Sequence, residues 1–346
     1  MAVTYLLTGS YASSKEPGIK LWRFNLEEGT LTEMNGIGGI DRASFIAVHP
    51  DGEHFVATSE VGEGELVSFR LELSSNQMTE ISRQSANGDH PAHVCIDASG
   101  KWVLSVNYSG GNVNVYPFME DGSIGERTDS VRHKGEGPNE ERQDAPHPHS
   151  VFQLPGSNNF LVSDLGTDMI FVYELDPANG KLATKQIVAT TPGAGPRHLA
   201  FHPAKPYVYS LEELSSALSV YRLGGEEFLK FAQVADLVPE DFAGENTSAE
   251  VAVSEDGRFL YASNRGHDSI AVFEILEDGS LQLQAHVHSG GAGPRHFALV
   301  PGGEWLVVAN EQSDSLCIMK IGAAGIPEIT GEPIHTTSPV CVKVIG

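Results

Sequence analysis

The sequence predicts an all-β fold, a seven-bladed β-propeller of four-stranded antiparallel blades, on three observations. First, one line recurs seven times: GIKLWRFNLEEGTL, GELVSFRLELSSNQM, GNVNVYPFMEDGSI, DMIFVYELDPANGKL, SALSVYRLGGEEFL, DSIAVFEILEDGSL and DSLCIMKIGAAGI. Each is an alternating apolar run, a polar turn and the start of a second run, the pattern of a strand and hairpin. Second, most copies follow another strand, turn and strand, as in FIAVHPDGEHFVATSE, VCIDASGKWVLSVN, LAFHPAKPYVYSLEE, VAVSEDGRFLYASN and FALVPGGEWLVVAN. Their turns carry the Gly and Pro that turn dihedrals favour. Third, seven copies in 346 residues leave about 49 residues per unit, the length of a four-stranded blade. A solenoid repeat is shorter, and a sandwich does not repeat internally.

The ends of the chain complete the ring. TYLLTGSYA and GIKLWRF supply strands at the N-terminus, and SPVCVKVIG reads as the first strand of a blade with nothing after it. Pairing the two ends in one blade closes the ring and removes the exposed edges of an open one. The expected organisation is one domain, residues 1–346. Blade spacing is uneven only where MEDGSIGERTDSVRHKGEGPNEERQDAPHPHS joins Pro117 to Ser150. That segment is polar, rich in Gly and Pro, and ends in HPHS. Long loops in compact domains often carry function.

Composition narrows the function classes. Lys and Arg number 22 against 46 Asp and Glu, a net charge of −24. Such a surface repels nucleic acid and anionic membranes, so neither is an expected partner. Cys95, Cys317 and Cys341 lie in apolar runs without CxxC spacing. An odd, sparse set gives no disulfide framework and no zinc motif, and free thiols fit a reducing cytoplasm. MAVTYLLTGSYASS lacks the basic and long apolar regions of a signal peptide. No apolar run has the length of a membrane-spanning helix. The expected location is the cytoplasm, and the sequence assigns no oligomeric state.

Strand direction sorts the polar residues by rim. Strands alternate direction within a blade, so first-strand starts and second-strand ends share one mouth. The starts are His93, His149, Arg197, His198, Arg295 and His296. The ends are Asn107, Tyr108, Asp164, Glu212, Glu213, Asn264, Arg265, Asn310 and Glu311. Arg197, Arg265 and Arg295 thus converge on one opening of an acidic protein. A guanidinium fork binds carboxylate, phosphate or a developing oxyanion, so the expected ligand is a small anion. The stretch GAGPRH occurs twice, at 193–198 and 291–296. Period-2 alternation turns His198 and His296 away from the adjacent Arg side chains, into blade packing. His49 and His202 precede Pro in turns of the opposite rim and read as structural.

GPRHLAFHP followed by YSLEELSSALSVY, the HPHS loop, and SNRGHDSIAVF resemble the seven-bladed propeller lactonase family over essentially the whole chain. That family includes bacterial 6-phosphogluconolactonases and a fungal carboxymuconate-lactonizing enzyme. The resemblance implies hydrolysis of 6-phospho-D-glucono-1,5-lactone to 6-phospho-D-gluconate, with no cofactor and no metal. It implies a catalytic set of His149 from HPHS, Arg197 from GPRH, Glu213 from ELSS and Arg265 from SNRG. Where relatives often have Asn before Glu-Leu-Ser this chain has Glu212, so either carboxylate of the pair is open as the inward one. Arg295, His147, Asn264 and Glu212 are the expected substrate-binding groups. In this reading His149 is a general base on water, Glu213 orients it or shares that role, and the arginines take the oxyanion and the phosphate.

Three other readings compete. The same mouth suits a muconolactone-type cycloisomerase or a lactonase for another sugar. A non-catalytic interaction scaffold is the second, although Trp22, Trp102 and Trp305 do not recur as a WD dipeptide. The third is a metal site on His147 and His149, for which the sequence fixes no third ligand. No GxSxG elbow marks a serine hydrolase.

Overall fold

The computed structural model describes residues 2–224 and 228–345. The turn of SALSVYRLGGEEFL lies partly outside the described residues. The described residues form 28 strands, β1 to β28 in chain order, gathered into seven four-stranded antiparallel sheets. The fold is the seven-bladed propeller that the repeat predicts. Among the described residues no helix is long and apolar enough to cross a membrane.

The closing blade draws on both ends of the chain. β1 (Val3–Ser10), β2 (Ile19–Asn25) and β3 (Thr30–Ile37) take β28 (Pro339–Ile345) as their innermost strand. Leu6 stands opposite Val344 and Gly9 opposite Cys341. The other six blades are consecutive quartets whose innermost strands are β4 (Ile46–Val48), β8 (Pro91–Ile96), β12 (Pro148–Gln153), β16 (Pro196–Phe201), β20 (Thr247–Val253) and β24 (Pro294–Val300). Each inner strand touches the next, and β28 touches both β24 and β4, so the ring is continuous.

The core lies between the faces of adjacent blades. β9 (Trp102–Asn107) is buried at every residue, whereas the outer strand β15 (Lys181–Ala189) alternates between intermediate and exposed. Inner strands are sandwiched on both faces and read as apolar runs, while outer strands meet water.

One contact recurs from blade to blade. Trp102 opens β9, and the turn before β15 in the next blade places Gly180 under its ring. A Cβ there would sit 2.2 Å from the ring, and Gly180 has φ of +62°. Gly29 under Trp305, Gly279 under Tyr207 and Gly325 under Phe259 repeat the arrangement, all with positive φ. Glycine is required here by conformation and by space together. Gly180→Ala should lower stability by roughly 2–4 kcal/mol, from left-handed strain and overpacking. Urea denaturation measures it, and an unchanged midpoint would contradict this account of blade packing.

Candidate active site

Five inner strands begin with proline: Pro91, Pro148, Pro196, Pro294 and Pro339. Proline has no N–H for the ladder and is tolerated at a strand's first residue. In each strand the pairing then skips one residue. Pro148 faces Asp164 and Ser150 faces Ser163, which leaves His149 without an opposite residue. Ala92, Arg197, Arg295 and Val340 are skipped likewise. In β20 the skipped residues are Ala249 and Glu250. Such a β-bulge bends the strand and re-aims its side chain.

The bulges bring Ala92, His149, Arg197, Arg295 and Val340 to the wall of one pit. Its volume is about 10 Å³, room for about one water. Tyr11, Ser44, Phe45, Glu60, His198 and His296 complete the wall. A wider basin of about 720 Å³ shares Arg295 with the pit and is bordered by Arg142, Arg265, Glu141, Glu245 and Glu311.

The two GAGPRH copies enter the mouth by one device. Gly195 and Gly293 have φ of +67° and +68°. Their N–H groups donate to Asp168 and Asp268 of the preceding blades, each at 2.8 Å. Repetition of the stretch therefore repeats a blade-to-blade anchor, and the anchor sets where each Arg begins its strand.

Glu213 is the hub of the arginines. Its Oε2 lies 2.9 Å from Arg197 Nε and 3.1 Å from Arg265 Nη2, and its Oε1 accepts from Arg142 Nη2 at 2.7 Å. Burial alone would raise the Glu213 pKa, but Arg265, Arg197 and Arg142 hold it down to about 2. Glu213 is therefore ionised and is a poor base. Arg197 is 3 % exposed, and burial with Arg265 and Arg295 nearby lowers its pKa to about 10, still charged at neutral pH. Its Nη1 donates to Ala249 O, and Arg265 donates to Thr247 O and Ser248 O. Arg295 Nη2 donates to Tyr11 Oη at 2.6 Å and Tyr11 donates to Glu60 at 3.1 Å. Burial raises the Tyr11 pKa to about 12, so the phenol keeps its proton.

His149 is buried, and its Nδ1 has no protein partner. Burial, then Arg197, His198, Arg295 and Arg265, push its pKa well below the ordinary histidine value. His149 is thus a neutral imidazole beside three guanidiniums.

The long loop reaches the mouth. His133 Nδ1 donates to Asp164 at 2.6 Å, and Gln143 Nε2 donates to Leu165 O at 2.8 Å and Asp168 at 2.7 Å. With the loop pinned on both sides, Arg142 extends to Glu213 and, at 3.4 Å, to Tyr108 Oη.

The structure brings His149, Arg197, Glu213, Arg265 and Arg295 together, and it revises several expectations. Glu213 is the carboxylate of the pair that meets the arginines, although it lines neither cavity itself. It is held by arginines rather than by His149, so it does not orient that imidazole. Glu212 ends β17 (Tyr207–Glu212), is 1 % exposed, lines neither cavity, and burial lifts its pKa to about 8. His147 stacks on Tyr108 at 4.4 Å, with Nδ1 against Tyr108 O at 2.9 Å, behind the wall. Asn264 donates to Leu237 O at 2.7 Å and accepts from Ser248 at 2.9 Å, which ties backbone together. These three residues line neither the pit nor the basin. His198 and His296 do line the pit, beside their Arg neighbours, because the bulge breaks the period-2 alternation. His49 bonds Gly100 O at 3.0 Å, and His202 accepts N–H groups of its own turn, as structural residues do.

Sequence reasoning missed Arg142, Tyr11, Glu60 and Glu250. Tyr11 and Glu60 directly follow second strands, β1 and β5 (His54–Ser59), so the rim rule already contained them. Replacing the hub tests its weight. Glu213→Gln should cost roughly 3–5 kcal/mol of stability, since buried guanidiniums lose their counter-charge. A denaturation series that shows under about 1 kcal/mol would contradict this.

Comparison with known proteins agrees with the fold. The family described as lactonase, 7-bladed beta-propeller, matches residues 5–344. The chain is 32% identical to a 6-phosphogluconolactonase of Bacillus subtilis (strain 168) over 97% of each chain. It is 33% identical to a 6-phosphogluconolactonase of Formosa agariphila, covering 91% of this chain and 92% of that one. Among solved structures, the periplasmic gluconolactonase of Pseudomonas aeruginosa superposes with a TM-score of 0.94 at 29% identity, over 100% of this chain and 99% of that one. The chain belongs to the seven-bladed β-propeller lactonase family.

Proposed function

We propose that this lactonase hydrolyses 6-phospho-D-glucono-1,5-lactone to 6-phospho-D-gluconate, the lactone-opening step of the oxidative pentose phosphate route. The observation that carries the reading is the convergence of His149, Arg197 and Arg295 on a pit the size of one water. The names of the Bacillus and Formosa relatives support the substrate. Three free thiols, none of them exposed, suit a reducing cytoplasm.

Lactone opening needs an activated water and a stabilised tetrahedral oxyanion. His149, kept neutral, takes the proton from water as general base. Arg197 faces the same pit and receives the oxyanion from a fixed position. Arg265, Arg295 and Arg142 border the basin, where a phosphate group bound outside the pit meets guanidinium forks. Glu213 holds the guanidiniums in place rather than moving protons. A second reading, an unphosphorylated sugar lactone, is favoured by Glu141, Glu245 and Glu311 on the basin rim and by the named activity of the Pseudomonas neighbour.

Hydrolysis above the spontaneous rate, coupled to 6-phosphogluconate dehydrogenase, tests the reading. His149→Ala and Arg197→Ala should each lower turnover about 100-fold or more. Wild-type rates in both folded variants would reject the site. The base must be unprotonated to act, and the pKa of His149 is depressed. Catalysed kcat/KM should therefore stay level as pH falls from about 8 to about 6, whereas an acid limb centred near 6.5, the ordinary histidine value, would contradict the role given to His149.

A further inference from the structure

A second histidine at the pit carries the geometry of an oriented base. His198 Nδ1 lies 2.9 Å from Glu250 Oε2. An ionised carboxylate only accepts, so His198 Nδ1 carries the hydrogen and Nε2 is bare. That Nε2 is buried without a protein partner.

Glu250 is itself fixed. Its Oε1 accepts the Val251 N–H at 3.1 Å, and His296 Nε2 lies 3.0 Å from Oε2. His296 Nδ1 accepts the Val342 N–H at 3.3 Å, so its hydrogen is on Nε2, close to Glu250 but out of line for a hydrogen bond. Burial would raise the Glu250 pKa, but the two histidines hold it well below the usual range. His93 stands nearby, its ring centre 5.5 Å from that of His198. It accepts the Val151 N–H on Nδ1 and makes no hydrogen bond to His198.

His149 and His198 therefore offer two buried, unpartnered ring nitrogens, Nδ1 and Nε2, on rings whose centres are 5.4 Å apart. Both residues line the one-water pit. A water has two hydrogens to give. We propose that His198, oriented by Glu250, is a second catalytic imidazole of the lactonase, holding the attacking water jointly with His149. The proposal rests on the lactonase reading above. One water hydrogen bonds His198 Nε2 and the other His149 Nδ1, which leaves an oxygen lone pair for the lactone carbon.

The step balances. The water O–H bond to His149 breaks, its proton goes to Nδ1, and the oxygen bonds the carbonyl carbon. The carbonyl π pair moves to the oxygen facing Arg197. Collapse re-forms the carbonyl, breaks the bond to the ring oxygen, and returns the His149 proton to that oxygen. The new carboxylic acid loses its proton to solvent. Glu250 acts through His198 and is a positioning residue.

His198→Asn separates this role from packing, because the amide still donates to Glu250 but lacks Nε2. Turnover should fall about 100-fold with KM within about twofold, and added imidazole should restore part of it. Nitrogen-15 NMR of wild-type protein should show His198 protonated on Nδ1 and bare on Nε2. Glu250→Gln should mix the two tautomers. Hydrolysis lost in His149→Ala but kept at wild-type turnover in His198→Asn would overturn this proposal alone. So would an Nε2–H tautomer of His198 in wild type, whether or not the variant folds. No hydrolysis by wild type of phosphorylated or unphosphorylated lactones would overturn the lactonase reading and this proposal with it.

Discussion

One carboxylate holds the mouth of this propeller together. Glu213 meets Arg142 from the long loop, Arg197 from its own blade and Arg265 from the next. Arg197 and Arg265 are held away from water and need a counter-charge, Arg142 remains partly exposed, and one carboxylate neutralises only part of the charge. Burial, with the guanidinium charge that remains, holds His149 neutral, and in the proposed reading that charge attracts an anionic substrate. The docking of the long loop depends on the same contact, because Arg142 bridges from the loop to the ring through Glu213.

The ring supplies the rigidity that such a site needs. Most groups at the pit stand on or beside an innermost strand, Tyr11 and Glu60 follow second strands, and the first residues of the innermost strands are buried between neighbouring blades. Bulges at the starts of five inner strands turn side chains into the pit without disturbing the ladders beyond them. Preorganised donors of this kind stabilise charge without reorganising during reaction. The turn glycines under Trp102, Tyr207, Phe259 and Trp305 fix how blades stack, and hence how the bulges meet.

Blade count, ring closure and the grouping of the mouth residues at one rim were legible in the sequence because they rest on period and strand direction, which survive without coordinates. Arg197, Arg265 and Arg295 followed from that sort. Parity failed where a bulge intervened: His198 and His296 read as turned away, yet the skipped residue before each returns them to the channel. The proline that opens the strands of both histidines, Pro196 and Pro294, was a visible signal for this. Glu212 and Glu213 could not be separated by sequence, since the difference is whether the residue ends the strand or lies past it. Arg142 was hidden for another reason. The path of a long loop depends on tertiary pins such as Gln143 to Asp168, which no local pattern encodes. His147 and Asn264 lie at the same rim but line neither cavity, a distinction set by side-chain packing.

The central claim is that the bulge-built pit and its basin are where a lactone reacts. A crystal structure with 6-phospho-D-gluconate bound tests this most directly. The account predicts the product carboxylate at the pit against Arg197 and beside His149, with the phosphate in the basin among Arg142, Arg265 and Arg295. Product bound on the opposite rim, or with its phosphate in the pit and its carboxylate in solvent, would contradict it.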